Sequence, residues 1–236
     1  VTITIVGAND GPIAVDDEIF IAEDVVFNST VDLDANDSDL DGDALSVIEG
    51  TFTTTEGGTI VIAADGSYSY TPPLDFNGVD TVEYTVTDGT ATDTATLTIN
   101  VGAENDAPDL VADVDSVDEN TTVTADAANG VLSNDSDLDG DALSVTGIHS
   151  GVSGTNTAVT AGQPGVIANE YGTLTINSDG SYTFIANGAS SEALPDGVTA
   201  NAVFTYTATD GTQSLTQTLT ITITGANDPA DITVDV

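Results

Sequence analysis

The 236 residues carry 40 acidic side chains, one histidine and neither lysine nor arginine, for a formal charge of −40. Nucleic acid and anionic membrane surfaces are poor partners for such a chain, because phosphate binding depends on Lys and Arg. Zero cysteine removes disulfides and thiolate metal sites, and zero lysine removes Schiff-base chemistry and isopeptide crosslinks.

Charge of this size opposes compaction through self-repulsion, yet 39% of the residues are hydrophobic and most lie in alternating patterns. Divalent cations reconcile the two by supplying the positive charge that the chain lacks. No apolar run approaches the roughly 20 residues of a membrane span and no signal peptide is present, so no membrane insertion is expected.

In chain order, Val1 to Val6 alternates Thr with Ile and Val and predicts a strand, read as the end of a preceding repeat in a longer protein. Gly7-Ala8-Asn9-Asp10 closes it, and comparable joints recur at Gly102-Ala103-Glu104-Asn105-Asp106 and Gly225-Ala226-Asn227-Asp228. Each follows a strand-like run, Leu97 to Val101 and Leu219 to Thr224 for the later two. The joints divide the chain into 1–10, a first repeat 11–102, a linker 103–106, a second repeat 107–225, and a linker with the start of another repeat, 226–236.

Asn36-Asp37-Ser38-Asp39-Leu40-Asp41-Gly42-Asp43-Ala44-Leu45-Ser46-Val47 recurs letter for letter as Asn134 to Val145. Alternate aspartates around a glycine form a knot of oxygen ligands suited to Ca2+, which takes six to eight oxygens. Without a cation they would only repel one another. Asp37-x-Asp39-x-Asp41-Gly42 matches the first half of an EF-hand loop, but Ile48 and Thr146 occupy the place of its bidentate glutamate and no helices flank it. A local site using Asp37, Asp39, Asp41 and Asp43, with Asp135, Asp137 and Asp139 in the second copy, stays open.

Asp65-Gly66 and Asp179-Gly180, set between apolar runs, predict hairpins. Thr81 to Thr87, Val203 to Thr209 and Thr94 to Val101 alternate with period two, the last placing Ala95, Leu97, Ile99 and Val101 on one face, as half-buried antiparallel strands do. No stretch has helical periodicity. About seven short strands per repeat predict an all-β, Greek-key, Ig-like antiparallel sandwich. The second repeat is longer by Gly- and Ser-rich insertions at 148–167 and 188–199, expected on surface loops, with His149 facing solvent there. Tyr84 and Tyr206 are expected as corner tyrosines with bonded hydroxyls. Asp16 and Asp17 are expected to be solvated or to support ligands, while Glu23 and Glu119 read equally as ligands or as exposed strand residues.

Taken together, the Gly-Ala-Asn-Asp joints, Asp16-Asp17 after Pro12, Glu23 and Glu119, the repeated Asn-Asp-Ser-Asp-Leu-Asp-Gly-Asp, and Tyr84/Asp88-Gly89 with Tyr206/Asp210-Gly211 resemble the VCBS/cadherin-like tandem repeats of giant RTX-type bacterial surface adhesins. The resemblance covers essentially the whole chain. It implies β-sandwich modules joined by calcium-binding linkers, secreted by a type I system and acting as an arm at the cell surface. It implies a central joint of Glu23, Glu104, Asn105, Asp106, Asp135, Asp137 and Asp210. The leading joint would use Asn9, Asp10, Asp37, Asp39 and Asp88, and the trailing one Glu119, Asn227 and Asp228. The joints depart from cadherins in lacking a second Asn, and Glu104 reads as an extra residue that could shift the ligand numbering by one.

Two function classes follow: a calcium-stiffened extender whose partners are calcium ions and neighbouring repeats, or a recognition module binding an extracellular glycan or a like domain through the loops of the second repeat. Against the second, aromatic content is 5% and tryptophan is absent. Catalysis is not expected: there is no cysteine or lysine nucleophile and no histidine paired with a serine.

Overall fold

The computed structural model describes residues 2–4 and 6–227 and divides into two compact units, with the boundary between Glu104 and Asn105. No helix occurs among the described residues.

Unit 1 contains β1 (Asp17–Ala22), β2 (Phe27–Asn28), β3 (Ser46–Val47), β4 (Gly50–Thr53), β5 (Thr59–Ile62), β6 (Tyr68–Thr71), β7 (Gly78–Thr87) and β8 (Thr92–Gly102). They form two four-stranded sheets, ordered β1-β8-β7-β3 and β2-β6-β5-β4. One core joins Ile60, Ile62 and Tyr70 of the second sheet to Val82, Tyr84, Leu97 and Ile99 of the first. β8 alternates as read: Ala95, Leu97, Ile99 and Val101 are buried and the threonines between them are not.

Unit 2 contains β9 (Asp113–Asp118), β10 (Thr122–Ala125), β11 (Ser144–Ser150), β12 (Thr157–Ala158), β13 (Gly165–Ala168), β14 (Thr173–Ile176), β15 (Tyr182–Ile185), β16 (Thr199–Thr209) and β17 (Ser214–Thr224). Its sheets run β12-β11-β16-β17-β9 and β10-β15-β14-β13. Phe184 and Phe204 meet across them edge-to-face at 5.7 Å.

Both Asp-Gly pairs turn hairpins, β5–β6 and β14–β15. Ala63 N–H donates to Ser67 O and Asn177 N–H to Ser181 O, leaving three-residue loops in which Gly66 (φ +84°) and Gly180 (φ +81°) take the left-handed position.

Four expectations are corrected. The sandwiches are not wholly antiparallel: β1 pairs with β8, and β9 with β17, in parallel. Each repeat's first strand enters alongside its last, with no turn between them to leave a local signal. The region 148–167 is not a plain surface loop. Its residues extend β11 and build β12 and most of β13, and Ile148 and Val159 join the core. The region 188–199 is a largely exposed loop as read, although Leu194 packs against the core and Ser191 is fully buried. His149 lies in β11 and is buried rather than facing solvent. Finally, Thr2 to Thr4 and Val6 are exposed and outside any strand; Val1 and Ile5 lie outside the described residues.

One buried polar group had no signal in the pattern. Asp80, on the inner face of β7, is 0% exposed. It accepts from Tyr70 OH (2.7 Å), Thr55 Oγ1 (2.9 Å), the Glu56 N–H (2.9 Å) and the Thr54 hydroxyl. Burial pushes its carboxyl pKa up, but these donors outweigh burial and hold it below the usual value. The same register in unit 2 holds Ala202, opposite Ile221 as Asp80 is opposite Ile99, and Phe184 stands where Tyr70 stands.

Candidate metal centre

Each unit carries acidic groups at both ends, and the two units build them alike. At the first end of unit 1, Asn9 Nδ2 donates to Asp88 Oδ2 (2.8 Å) and Asp10 N–H to Asp41 Oδ2 (2.7 Å). Asp41 N–H donates to Asp39 Oδ1 (2.8 Å), and Val15 N–H to Asp37 Oδ1 (2.8 Å). Gly42 (φ +79°) lets the chain double back, so that Asp39, Asp41 and Asp43 offer oxygens within 4.8 Å of one another. A reciprocal backbone pair, Ile13 with Ser38, staples the loop to the incoming chain.

Unit 2 repeats this arrangement. Asn105 Nδ2 donates to Asp210 Oδ2 (3.0 Å) and Asp106 N–H to Asp139 Oδ2 (2.7 Å). Asp139 N–H reaches Asp137 Oδ1 (3.1 Å), Val111 N–H reaches Asp135 Oδ1 (2.8 Å), and Asp109 pairs with Ser136. The pattern brings together Asn9, Asp10, Asp37, Asp39, Asp41 and Asp88 in one unit, and Asn105, Asp106, Asp135, Asp137, Asp139 and Asp210 in the other.

Two of these aspartates are well supplied with hydrogen-bond donors. Asp88 Oδ1 caps the β7–β8 turn by accepting from the Thr90 and Ala91 N–H groups (2.6 Å each), and the Ala91, Asn9 and Thr90 bonds hold its pKa down. Asp210 is held down by Asn105, then by the Gln213 and Thr212 N–H groups.

Asp37, Asp39 and Asp137 each keep one buried oxygen without such a donor. Burial pushes the Asp37 carboxyl up against the Val15 bond, and nearby Asp17, Asp34 and Asp93 add to the rise. Burial likewise pushes up Asp135, and it raises Asp113 beside it to about 7 with help from the Asp135 charge. Asp37 Oδ2, Asp39 Oδ2, Asp113 Oδ2 and Asp137 Oδ2 are buried with no hydrogen-bond donor. A buried carboxylate oxygen without a donor is costly unless a proton or cation meets it. This donor set, all hard oxygen and without a basic side chain, fits Ca2+.

Tyrosines tie the loops to the cores. Tyr84 is 2% exposed, and its OH donates to Asp17 Oδ2 (2.6 Å) and lies within hydrogen-bond distance of the Val15 and Leu33 carbonyls. Tyr206 OH reaches Val131 O (3.1 Å) and Asp135 Oδ2 (3.2 Å). Asp17 therefore supports the loop, and Asn36 also donates to it. Asp16, in turn, accepts the Thr96 N–H (2.8 Å).

At the second end of each unit stands a glutamate. Glu23 and Glu119 are 3% and 2% exposed, which removes the exposed-strand reading. Both leave their parallel strands through a backbone bond, to Gly102 O and Thr224 O. Glu23 Oε1 accepts the Glu104 N–H and Glu119 Oε1 the Ala226 N–H, each at 2.6 Å, while Glu119 Oε2 is buried with no donor.

This equivalence corrects the reading of Glu104 as an extra residue. Leu97 and Leu219 share one register point, opposite Asp17 and Asp113. Counted from them, Glu104 matches Ala226 and Asn105 matches Asn227, so the joints have equal length and only the glycine has moved. Glu104 contributes its backbone N–H, and its own side chain is exposed. Asn227 is exposed; Asp228 lies outside the described residues.

The fold and these ends define tandem all-β repeats of a single design, each with an acidic loop at one end and a buried glutamate at the other. The chain belongs to the bacterial cadherin-like domain family, whose model matches residues 9–103 and 105–225. Among solved structures, human protocadherin-24 EC1-2 aligns at TM-score 0.54 and 16% identity, over 94% of this chain and 100% of that one. Drosophila N-cadherin EC1-4 aligns at TM-score 0.33 and 14% identity, over 92% of this chain and 51% of that one. An endo-fucoidan hydrolase of glycoside hydrolase family 107 aligns at TM-score 0.36 and 16% identity; 92% of this chain covers 29% of the enzyme's. No curated protein matches the chain. At these identities the likeness concerns the fold alone.

Proposed function

We propose that the chain is a calcium-dependent structural extender: a pair of repeats from a secreted bacterial surface adhesin, with Ca2+ at the joints rigidifying the string. The observation that carries the reading is the set of donorless, buried carboxylate oxygens on Asp37, Asp39, Asp137 and Glu119, in a chain with no Lys or Arg to meet them. Bound there, the ion supplies the missing positive charge. Asp37, Asp39 and Asp41 with Asn9 and Asp10 would hold it at one end of unit 1, and Glu23, whose Oε1 accepts the Glu104 N–H, at the other. Asn105, Asp106, Asp135, Asp137 and Asp139 would serve unit 2, with Glu119 and Asn227 at its far end.

The chain itself is read as non-catalytic, placed outside the cell at the bacterial surface and exported by type I secretion. Its partners are calcium ions and neighbouring repeats. A recognition role in glycan or homophilic binding would rest on the excursions of unit 2, which set Ile148, Val159, Ser191 and Leu194 in or against the core and leave most of their other residues exposed.

Thermal unfolding and small-angle scattering, each in calcium and in excess EDTA, test the reading. A lower melting temperature with a more flexible particle in EDTA supports it. Coincident curves in both measurements would remove calcium from the account.

A further inference from the structure

Three non-glycine residues among those described adopt positive φ: Asp24 (58°), Asp75 (55°) and Asn120 (60°). Such conformations are strained and gather where the surroundings impose them for a purpose. Here all three fall in one device. Asp24 follows Glu23, Asn120 follows Glu119, and Asp75 lies in the connector that Asp24 touches.

In unit 1 the connector between β6 and β7 spans 72–77, and Asp24 Oδ1 accepts the Asp75 N–H at 3.0 Å. In unit 2 the corresponding connector spans 186–198. There the Asn120 amide, oriented to satisfy both groups, donates to the Glu192 carboxylate. The chemistry is inverted, acceptor in one unit and donor in the other, but the tie joins the same two segments.

The longer connector is also anchored by backbone bonds, among them Asn120 N–H to Ala186 O (2.8 Å), Ala186 N–H to Thr121 O (3.0 Å) and Ser190 N–H to Glu170 O (2.9 Å). Gly188 N–H donates to Tyr171 O (3.0 Å), while Gly197 N–H donates to Gly225 O (2.9 Å) and Gly225 N–H to Val198 O (2.8 Å). A Cβ on Gly225 would lie 2.3 Å from Pro195 O. The connector thus grips the residue immediately before Ala226, whose N–H holds Glu119 Oε1.

We propose that Asp24 and Asn120 are positioning residues for Glu23 and Glu119. Each latches the connector and fixes the backbone from which the carboxylate projects, so the glutamate is set for a divalent cation before the ion arrives. The inference rests on the calcium reading above and adds residues that need not touch the ion. Groups that orient a ligand typically change metal affinity about 10- to 100-fold when lost.

The test is a calcium titration of the full chain followed by amide NMR. Ala226 N–H reports on Glu119, and Asp10 N–H, bonded to Asp41, reports on the acidic loop of the other unit. Asn120→Gly keeps the positive φ without steric cost and removes the amide. It should raise the calcium midpoint at Ala226 about tenfold and leave Asp10 unchanged. N120D, which faces Glu192 with a like charge, should do the same, and E192Q in that background should restore the midpoint.

An unchanged midpoint in N120G, or a loss in N120D that E192Q fails to reverse, overturns the proposal. If Asp10 responds to calcium in the unsubstituted chain and Ala226 does not, positioning falls while the calcium reading stands at the other end. If neither amide responds, the calcium reading falls and takes the proposal with it.

Discussion

At Asp80 and Tyr70 the two repeats solve one packing problem in two ways, a fully bonded carboxylate in unit 1 and the Ala202/Phe184 pair in unit 2. A satisfied polar network is tolerable inside a sandwich, and a half-dismantled one is not. Asp80→Ala strands the hydroxyls of Tyr70 and Thr54 in the core, and should cost unit 1 about 3 kcal/mol in urea unfolding. Tyr70→Phe added to it should recover about 1 kcal/mol, because it removes one of the stranded groups; if the double variant is the less stable, the network argument fails. The folded pKa of Asp80 is depressed, so its contribution is present above the unfolded value of about 3.9 and is lost as pH falls through the lower folded value. Asp113 has the opposite sign. Its folded pKa is raised to about 7, so the stability linked to its proton is present below about 3.9 and lost as pH rises through about 7. In EDTA, unit 2 should therefore melt higher at pH 5 than at pH 8, and Asp113→Asn should shrink that difference.

Among the elements, those with local signals were legible and those made by distant partners were not. The alternation from Ala95 to Val101 and the Asp-Gly pairs each specify themselves within a few residues, and both hairpins formed where they were read. The parallel entry of β1 beside β8 has no such signature, and β2 and β3 are too short for periodicity to register. His149 was misplaced because Gly and Ser around it suggest a loop, while its strand is decided by pairing with Thr205. The acidic loops were legible as clusters of carboxylates by composition alone. Burial of Glu23 and Glu119, and the equal lengths of the joints, depend on the register of the parallel strands and could not be. Close approach sets a sharper limit at the β14–β15 hairpin. A Cβ on Gly130 would lie 2.3 Å from Gly180 O, a backbone atom with no room to yield. Gly130→Ala should cost about 2 kcal/mol, while Gly162→Ala, with nothing within 4 Å but φ +75°, should cost about 1 kcal/mol. Equal melting temperatures for the two variants would show that the hairpin yields.

Across the whole molecule, the question is whether 40 uncompensated acids need calcium as a ligand or only counterions as a screen. The two demands separate by salt. Repulsion among exposed carboxylates fades once the screening length contracts to about 3 Å, near 1 M monovalent salt. The donorless oxygens of Asp37, Asp39, Asp137 and Glu119 are buried, and bulk screening does little for them. An ion binding only the folded state at a hundred times its Kd stabilises by about 2.7 kcal/mol per site. Sodium chloride at 1 M in EDTA should therefore raise the melting temperature only part of the way to the value reached in millimolar calcium. The remaining gap should close on adding calcium at the same ionic strength. Asp39→Asn combined with Asp137→Asn should reduce that gap while leaving the salt-dependent part nearly intact, because it removes two charges of 40 but two of the buried oxygens that ask for an ion. If 1 M salt alone restores the full melting temperature, the loops are merely repulsive, and calcium acts on this chain as any counterion would.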